Sequence, residues 1–107
     1  MSKRHTVLFT KTAKDDSQNY YERIKKEEPT VAEAFKSKLR EHASLLGEFP
    51  RIGRSPEYDS DGIYLQTPIP GFKGFAFIYV VTEEKVIIVR VVNTRMDLPE
   101  ILKYVEI

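Results

Sequence analysis

Phe75-Ala76-Phe77-Ile78-Tyr79-Val80-Val81, then Thr82-Glu83-Glu84-Lys85, then Val86-Ile87-Ile88-Val89-Arg90-Val91-Val92 is the stretch that sets the fold. Two runs of aromatic and β-branched residues flank a short polar turn, which predicts an antiparallel hairpin. With Glu83 and Glu84 as the turn residues, Val81 faces Val86 and Phe77 faces Arg90 across the ladder. Strict alternation then places Ala76, Ile78, Val80, Ile87, Val89 and Val91 on one wholly aliphatic face. Phe75, Phe77, Tyr79, Ile88, Arg90 and Val92 share the other. The aliphatic face is the one expected beneath helices. The aromatic face, with one arginine in it, suits a partly wet or partner-covered surface. There Arg90 either lies on Phe77 or Tyr79 as a cation–π pair or snorkels past the aromatic layer. Two apolar faces on so small a sheet imply that one is hidden by the chain's own tail or by another protein.

Upstream of the hairpin, residues 6–10 form a short β-favouring run and predict a first strand. Thr12 and Asp15 match the hydroxyl-x-x-acid pattern that caps a helix. Ala13, Tyr20 and Ile24, with Ser17 and Tyr21 beside them, recur at helical spacing behind it. Pro29 ends that helix, because the residue before a proline is driven out of the helical region. Thr30 and Glu33 repeat the capping pattern for a second helix. Its stripe is Val31, Ala34, Phe35, Leu39, His42, Leu45 and Leu46, and Gly47 with Pro50 is its stop. Residues 49–62 read as irregular, residues 63–67 as a strand, and Pro68-Ile69-Pro70-Gly71 as its end. Downstream, Asp97, Pro99 and Glu100 open a short helix expected to run through Tyr104. The expected class is therefore α+β: an N-terminal strand, a helical hairpin, a three-stranded antiparallel meander and a short C-terminal helix.

The chain has 107 residues, within the range of a single domain, so residues 1–107 are read as one unit. Its 41% hydrophobic and 11% aromatic content exclude a disordered chain. A net charge of +1 leaves no global field that would draw the chain to nucleic acid or a membrane. With 0 cysteines there is no disulfide framework, thiol nucleophile or thiolate metal site, and this composition is compatible with a reducing cytosol. The longest apolar run, residues 75–81, is too short to span a bilayer, and the stretch 7–9 is too short for a secretory signal. A cytoplasmic protein is expected.

Candidate chemistry is sparse. No Gly-rich phosphate loop or Gly-x-Ser-x-Gly elbow is present. His5 lies in a basic N-terminal tip, and His42 sits in an apolar helical stripe, where a hydrogen-bonded core histidine is expected. Glu57, Asp59, Asp61 and Gly62 imitate the start of a calcium loop, but Pro68 occupies the position that needs the bidentate acid. No cofactor and no metal site are expected. Arg51 and Arg54 precede the second strand and Arg95 follows the last. They form a small anion patch if those ends of the sheet meet, and are ordinary solvated loop arginines otherwise.

Phe49-Pro50-Arg51-Ile52-Gly53-Arg54 after the helical hairpin and Pro68-Ile69-Pro70-Gly71-Phe72 before the third strand match a known pattern in order and spacing. So do Phe77-Ile78-Tyr79-Val80-Val81, Val86-Ile87-Ile88-Val89-Arg90-Val91-Val92-Asn93 and Arg95-Met96-Asp97-Leu98-Pro99-Glu100-Ile101-Leu102. Together they resemble the RelE/ParE family of bacterial type II toxin–antitoxin toxins, and the segment 10–21 is similar to that family's first helix. The resemblance implies a small cytoplasmic toxin held in a hetero-oligomer by a cognate antitoxin, meeting nucleic acid only through that antitoxin and no membrane at all. Its RelE branch cleaves messenger RNA on the ribosome without metal. Its ParE branch is known for poisoning DNA gyrase.

Against the ribonuclease branch, this chain has Tyr64 and Gln66 where lysines are expected on the second strand. It has Ala76 where an arginine opens the third strand, and roughly Ile101 where a tail tyrosine stands. Only Arg95 matches. Metal-free RNA cleavage needs cations on the scissile phosphate and a group that handles protons, and one arginine does not supply both. The resemblance therefore implies a ParE-like inhibitor without catalytic residues. A RelE-like ribosome-dependent endonuclease and a non-toxic complex partner are the alternatives. Arg54, Tyr64, Arg90 and Arg95 are the expected contacts with target or antitoxin. The match also sets Ala76 on the face assigned to the helices, so either both faces are covered or the hairpin register is off by one.

Overall fold

Strand β1 (Thr6–Phe9) turns directly into helix α1 (Lys11–Glu27), with only Thr10 between them. The structure, a computed structural model, describes residues 4–103 and residue 105. Thr10 does three jobs that explain the abrupt turn. Its N–H continues the sheet to the Ile88 carbonyl at 3.0 Å. Its Oγ1 accepts from the Ala13 N–H at 3.1 Å and donates to the Val89 carbonyl at 3.0 Å. The helix cap is thus Thr10 rather than Thr12, because only Thr10 is tied to the sheet as well.

Helix α2 (Pro29–Glu48) follows with Glu28 alone as the break. Pro29 occupies the start of the helix, and no side chain caps it. The expected Thr30–Glu33 capping pair does not form. Glu33 instead accepts a 2.6 Å hydrogen bond from the Tyr21 hydroxyl and ties α2 to α1. Ala32, Phe35, Leu39, His42, Ala43 and Leu46 are buried, whereas Val31, Ala34 and Leu45 of the predicted stripe are exposed.

Strands β2 (Leu65–Pro68), β3 (Phe75–Val81) and β4 (Lys85–Asn93) form an antiparallel meander, and helix α3 (Leu98–Leu102) closes the described chain. Strand β1 lies parallel to β4, so the sheet order is β1-β4-β3-β2. The α+β class, the element order and the short tail helix are as the sequence predicts, while β2 begins two residues later than expected. Tyr104, the predicted end of α3, lies outside the described residues.

The face assignment is corrected. Val81 faces Val86 as expected, but Ile78 pairs with Arg90 while Tyr79 pairs with Ile88, leaving Val89 as an extra residue in β4. This bulge interrupts the alternation. Phe77 consequently faces Val91 rather than Arg90. Phe77, Tyr79, Val86, Ile88 and Val91 pack beneath α1 and α2. Ala76, Ile78, Val89 and Val92 form the opposite face. Helices therefore cover the aromatic face. Large rings fill the space between sheet and helices: Phe35 meets Phe72 at 5.2 Å and Phe75 at 5.1 Å, and Tyr20 meets Phe75 at 5.0 Å, all edge-to-face. The flatter aliphatic face receives Leu98, Ile101, Leu102 and Val105 of the tail, with Tyr58 and Tyr64 beside them. Both faces are covered, and the Ala76 position no longer conflicts with the family match.

Arg90 belongs to neither alternative raised for it. It forms a two-point ion pair with Asp16 of α1, Nε to Oδ2 at 2.7 Å and Nη2 to Oδ1 at 3.0 Å. Asp16 Oδ2 also accepts the Val91 N–H at 3.0 Å. Because β1 ends at Phe9, the outer edge of β4 beyond Ile88 has no neighbouring strand. Asp16 takes over there as the acceptor for the bulged segment.

The loop before β2 is pressed onto the sheet through Gly53. Its N–H donates to the hydroxyl of fully buried Tyr79 at 2.9 Å. A Cβ at position 53 would lie 2.6 Å from that oxygen and 2.9 Å from the Gln66 carbonyl. Gly53→Ala is therefore expected to lower stability by about 1–3 kcal/mol through overpacking, read as a lower urea midpoint. An unchanged midpoint would show that the loop does not close on Tyr79. Asp16→Ala strands a guanidinium whose side chain is only 20% exposed and frees a backbone N–H. A loss of about 2–4 kcal/mol is expected. Adding Arg90→Leu should return part of it, and strict additivity in that double-mutant cycle would refute the pair.

Candidate functional site

The outer face of the sheet is where the resemblance places the ribonuclease positions, so its contents decide what chemistry is open to the chain. Ala76 is buried, and Tyr64 and Ile101 pack with it in one apolar cluster with Ile78, Val89, Val92 and Leu98. Gln66 is engaged by the Tyr58 hydroxyl through its side-chain oxygen. Tyr64 is held by a 2.7 Å bond from its N–H to Asp59 Oδ2, which is also what the acidic turn is for. Burial first, and the Asp59 carboxylate second, push the Tyr58 and Tyr64 phenols above their ordinary value. Both stay protonated at neutral pH and are donors rather than bases. Helix α3 is fixed over the cluster by Asp97, whose Oδ1 accepts the Glu100 N–H at 3.3 Å.

The four predicted contact residues do not form one site. Arg54 is exposed and pairs through its backbone with Gln66 at 2.9 and 2.8 Å, closing part of the free edge of β2. Tyr64 lies half-buried on the outer face. Arg90 and Arg95 come together in a cleft of about 410 Å³ between α1 and the end of β4. The anion patch of Arg51, Arg54 and Arg95 does not form. Arg51 lies beside Val81, Thr82 and Glu83 at the hairpin-turn end, whereas Arg95 follows Asn93 at the other end of β4. The loop leaving α2 runs to the turn end of the sheet, and β4 carries Arg95 the full strand length away from it.

Two features went unread in the sequence. Arg23 of α1 joins Arg90 and Arg95 in the same cleft. Its spacing from Tyr20, one helical turn, was the available signal, and its guanidinium sits 5.9 Å from that ring. A second groove of about 270 Å³ runs along the helical hairpin, floored by Phe9, Phe35 and Leu39 and rimmed by Lys14, Lys36 and Arg40. His42 is the expected core histidine. Its Nε2 meets Thr67 Oγ1 at 2.9 Å, its ring stacks on Phe77 at 5.7 Å, and burial lowers its pKa. Among the described residues, no group of three or more His, Asp or Glu side chains gathers as a metal ion would require, and no helix is long and apolar enough to cross a membrane.

No curated protein matches the chain in sequence. Nine chains of solved structures match it. One belongs to the chromosomal ParDE TA system from P. aeruginosa, superposing with a TM-score of 0.72 at 17% identity over 86% of this chain and 98% of that one. At that identity the likeness speaks for the fold. The family model described as the ParE toxin of type II toxin–antitoxin system, parDE, matches residues 7–98, from β1 into α3. The chain belongs to the ParE toxin family of type II toxin–antitoxin systems.

Proposed function

We propose that this toxin acts by binding a macromolecular target, DNA gyrase, rather than by cutting RNA, and that a cognate antitoxin neutralises it in a cytoplasmic hetero-oligomer. The carrying observation is the outer sheet face. Ala76, Tyr64 and Ile101, which stand where the ribonuclease branch places its cations and tail tyrosine, are packed into one apolar cluster between the sheet and α3, Ile101 from the helix itself. A cleaved phosphodiester needs positive charge at the developing oxyanion. Apolar side chains supply none, and the phenols of Tyr58 and Tyr64 hold their protons. In this reading Arg54 and Arg95 offer exposed guanidinium groups to target or antitoxin, and Tyr64 adds a contact at the rim of the tail. Arg90 serves through its pair with Asp16, which shapes the cleft wall. The groove of the helical hairpin, apolar below and cationic above, is a second surface suited to an amphipathic segment of the antitoxin.

Induction of the chain without its neighbouring gene tests the reading. Arrested growth, DNA-break signalling and intact transcript ends are expected, with growth restored when the neighbour is co-expressed. Transcripts cut on translating ribosomes would overturn the binding mechanism in favour of a RelE-like endonuclease. Normal growth would leave a non-toxic complex partner.

A further inference from the structure

The cleft between α1 and the end of β4 holds more positive charge than the fold itself uses. Arg90 is consumed by Asp16, the one acidic side chain among the described residues that line the cleft. Arg23 and Arg95 form no ion pair among the described residues, and both are exposed at the cleft's mouth. Their backbones are nevertheless well placed. Arg23 rides on α1, and the Arg95 N–H is held by Asn93 Oδ1 at 3.0 Å. The Tyr20 hydroxyl bonds the Met96 sulfur at 3.3 Å, pinning the turn after β4 against α1.

We infer that this cleft seats a carboxylate side chain of a protein partner, with Arg23 and Arg95 closing on it from α1 and from the turn after β4. The inference rests on the reading above that the chain works through bound proteins. A guanidinium fork matches a carboxylate in plane and charge, and a partly enclosed site strengthens such a bond over one at an open surface. The wall formed by Tyr20 and Met96 suits the aliphatic stem of a glutamate or aspartate. A nucleic-acid strand fits less well. It brings a row of phosphates and needs a row of cations, whereas the cleft offers only Arg23, which lies over the Tyr20 ring, and Arg95, with the carboxylate of Asp97 close behind Arg95 in the chain.

The test uses the full-length chain and the protein encoded beside it. Arg23→Gln, Arg95→Gln and the double charge reversal Arg23→Glu/Arg95→Glu are titrated with that partner at two salt concentrations. Unaltered circular dichroism serves as the fold control. Each single variant should weaken binding about tenfold or more, and the double reversal further, with a smaller salt dependence. A partner in which one Asp or Glu is replaced by Lys should bind the double reversal better than it binds the unmodified chain. Unchanged affinity in a folded double reversal would overturn the cleft assignment while leaving the binding reading intact. Absence of any complex with the unmodified chain would overturn both. A single-stranded oligonucleotide that binds the unmodified chain and is lost in the double reversal, with partner affinity unaffected, would reassign the cleft to phosphate.

Discussion

Strand β3 is apolar on both of its faces, and a strand of that kind must be covered twice. From Phe75 to Val81 its residues alternate between rings that need depth and small aliphatic groups that need only a thin cover. The helical hairpin supplies depth: Phe35, Leu39 and Leu46 meet Phe77 and Tyr79 on one side. The tail supplies the thin cover, laying Leu98 and Ile101 on Ala76 and Ile78. Each buried aliphatic side chain contributes about 1.5–3 kcal/mol, so a five-residue helix is enough to hold the outer face shut once Asp97 has capped it.

The two covers are joined through β4. Its bulge at Val89 resets the alternation, so that Val91 rather than Arg90 turns into the core beneath the helices and Val92 faces the tail. Asp16 stabilises that irregular segment by taking the Val91 N–H and the Arg90 guanidinium at once. Helix α1 is thus clamped to the sheet by an ion pair near its N-terminus, and the same clamp leaves Arg23 and Arg95 facing each other across an open cleft. The cleft itself arises as a consequence of how a bulged edge strand is satisfied.

Much of this was legible in the chain. Pro29 marked the break between the helices, the spacing of Phe35, Leu39, His42 and Leu46 marked the buried stripe, and the polar turn at Glu83 and Glu84 marked the hairpin. What was not legible came from partners far away in sequence. Nothing in Val-Ile-Ile-Val-Arg-Val-Val signals a bulge, because the group that stabilises it is 74 positions earlier. The same separation hid the use of Arg90, which read as a surface cation until Asp16 was beside it. Locally Thr12, with Asp15 three residues on, is the better capping signal, and only the bonds of Thr10 to Ile88 and Val89 decide for Thr10. Of the cleft's arginines, Arg95 was legible as a cation past the last strand. Arg23 was not, because its partners in the cleft are brought to it by the tertiary fold.

The account stands on an outer sheet face that is closed and apolar. Leu98→Asp tests it most directly, because the carboxylate would be forced against Ala76, Ile78, Val89 and Val92. Chemical denaturation of this variant should show a loss of about 3 kcal/mol or more, accompanied by binding of a hydrophobic dye to the uncovered face. A Leu98→Asp chain as stable as the original, with no dye binding, would mean that the tail does not cover the sheet.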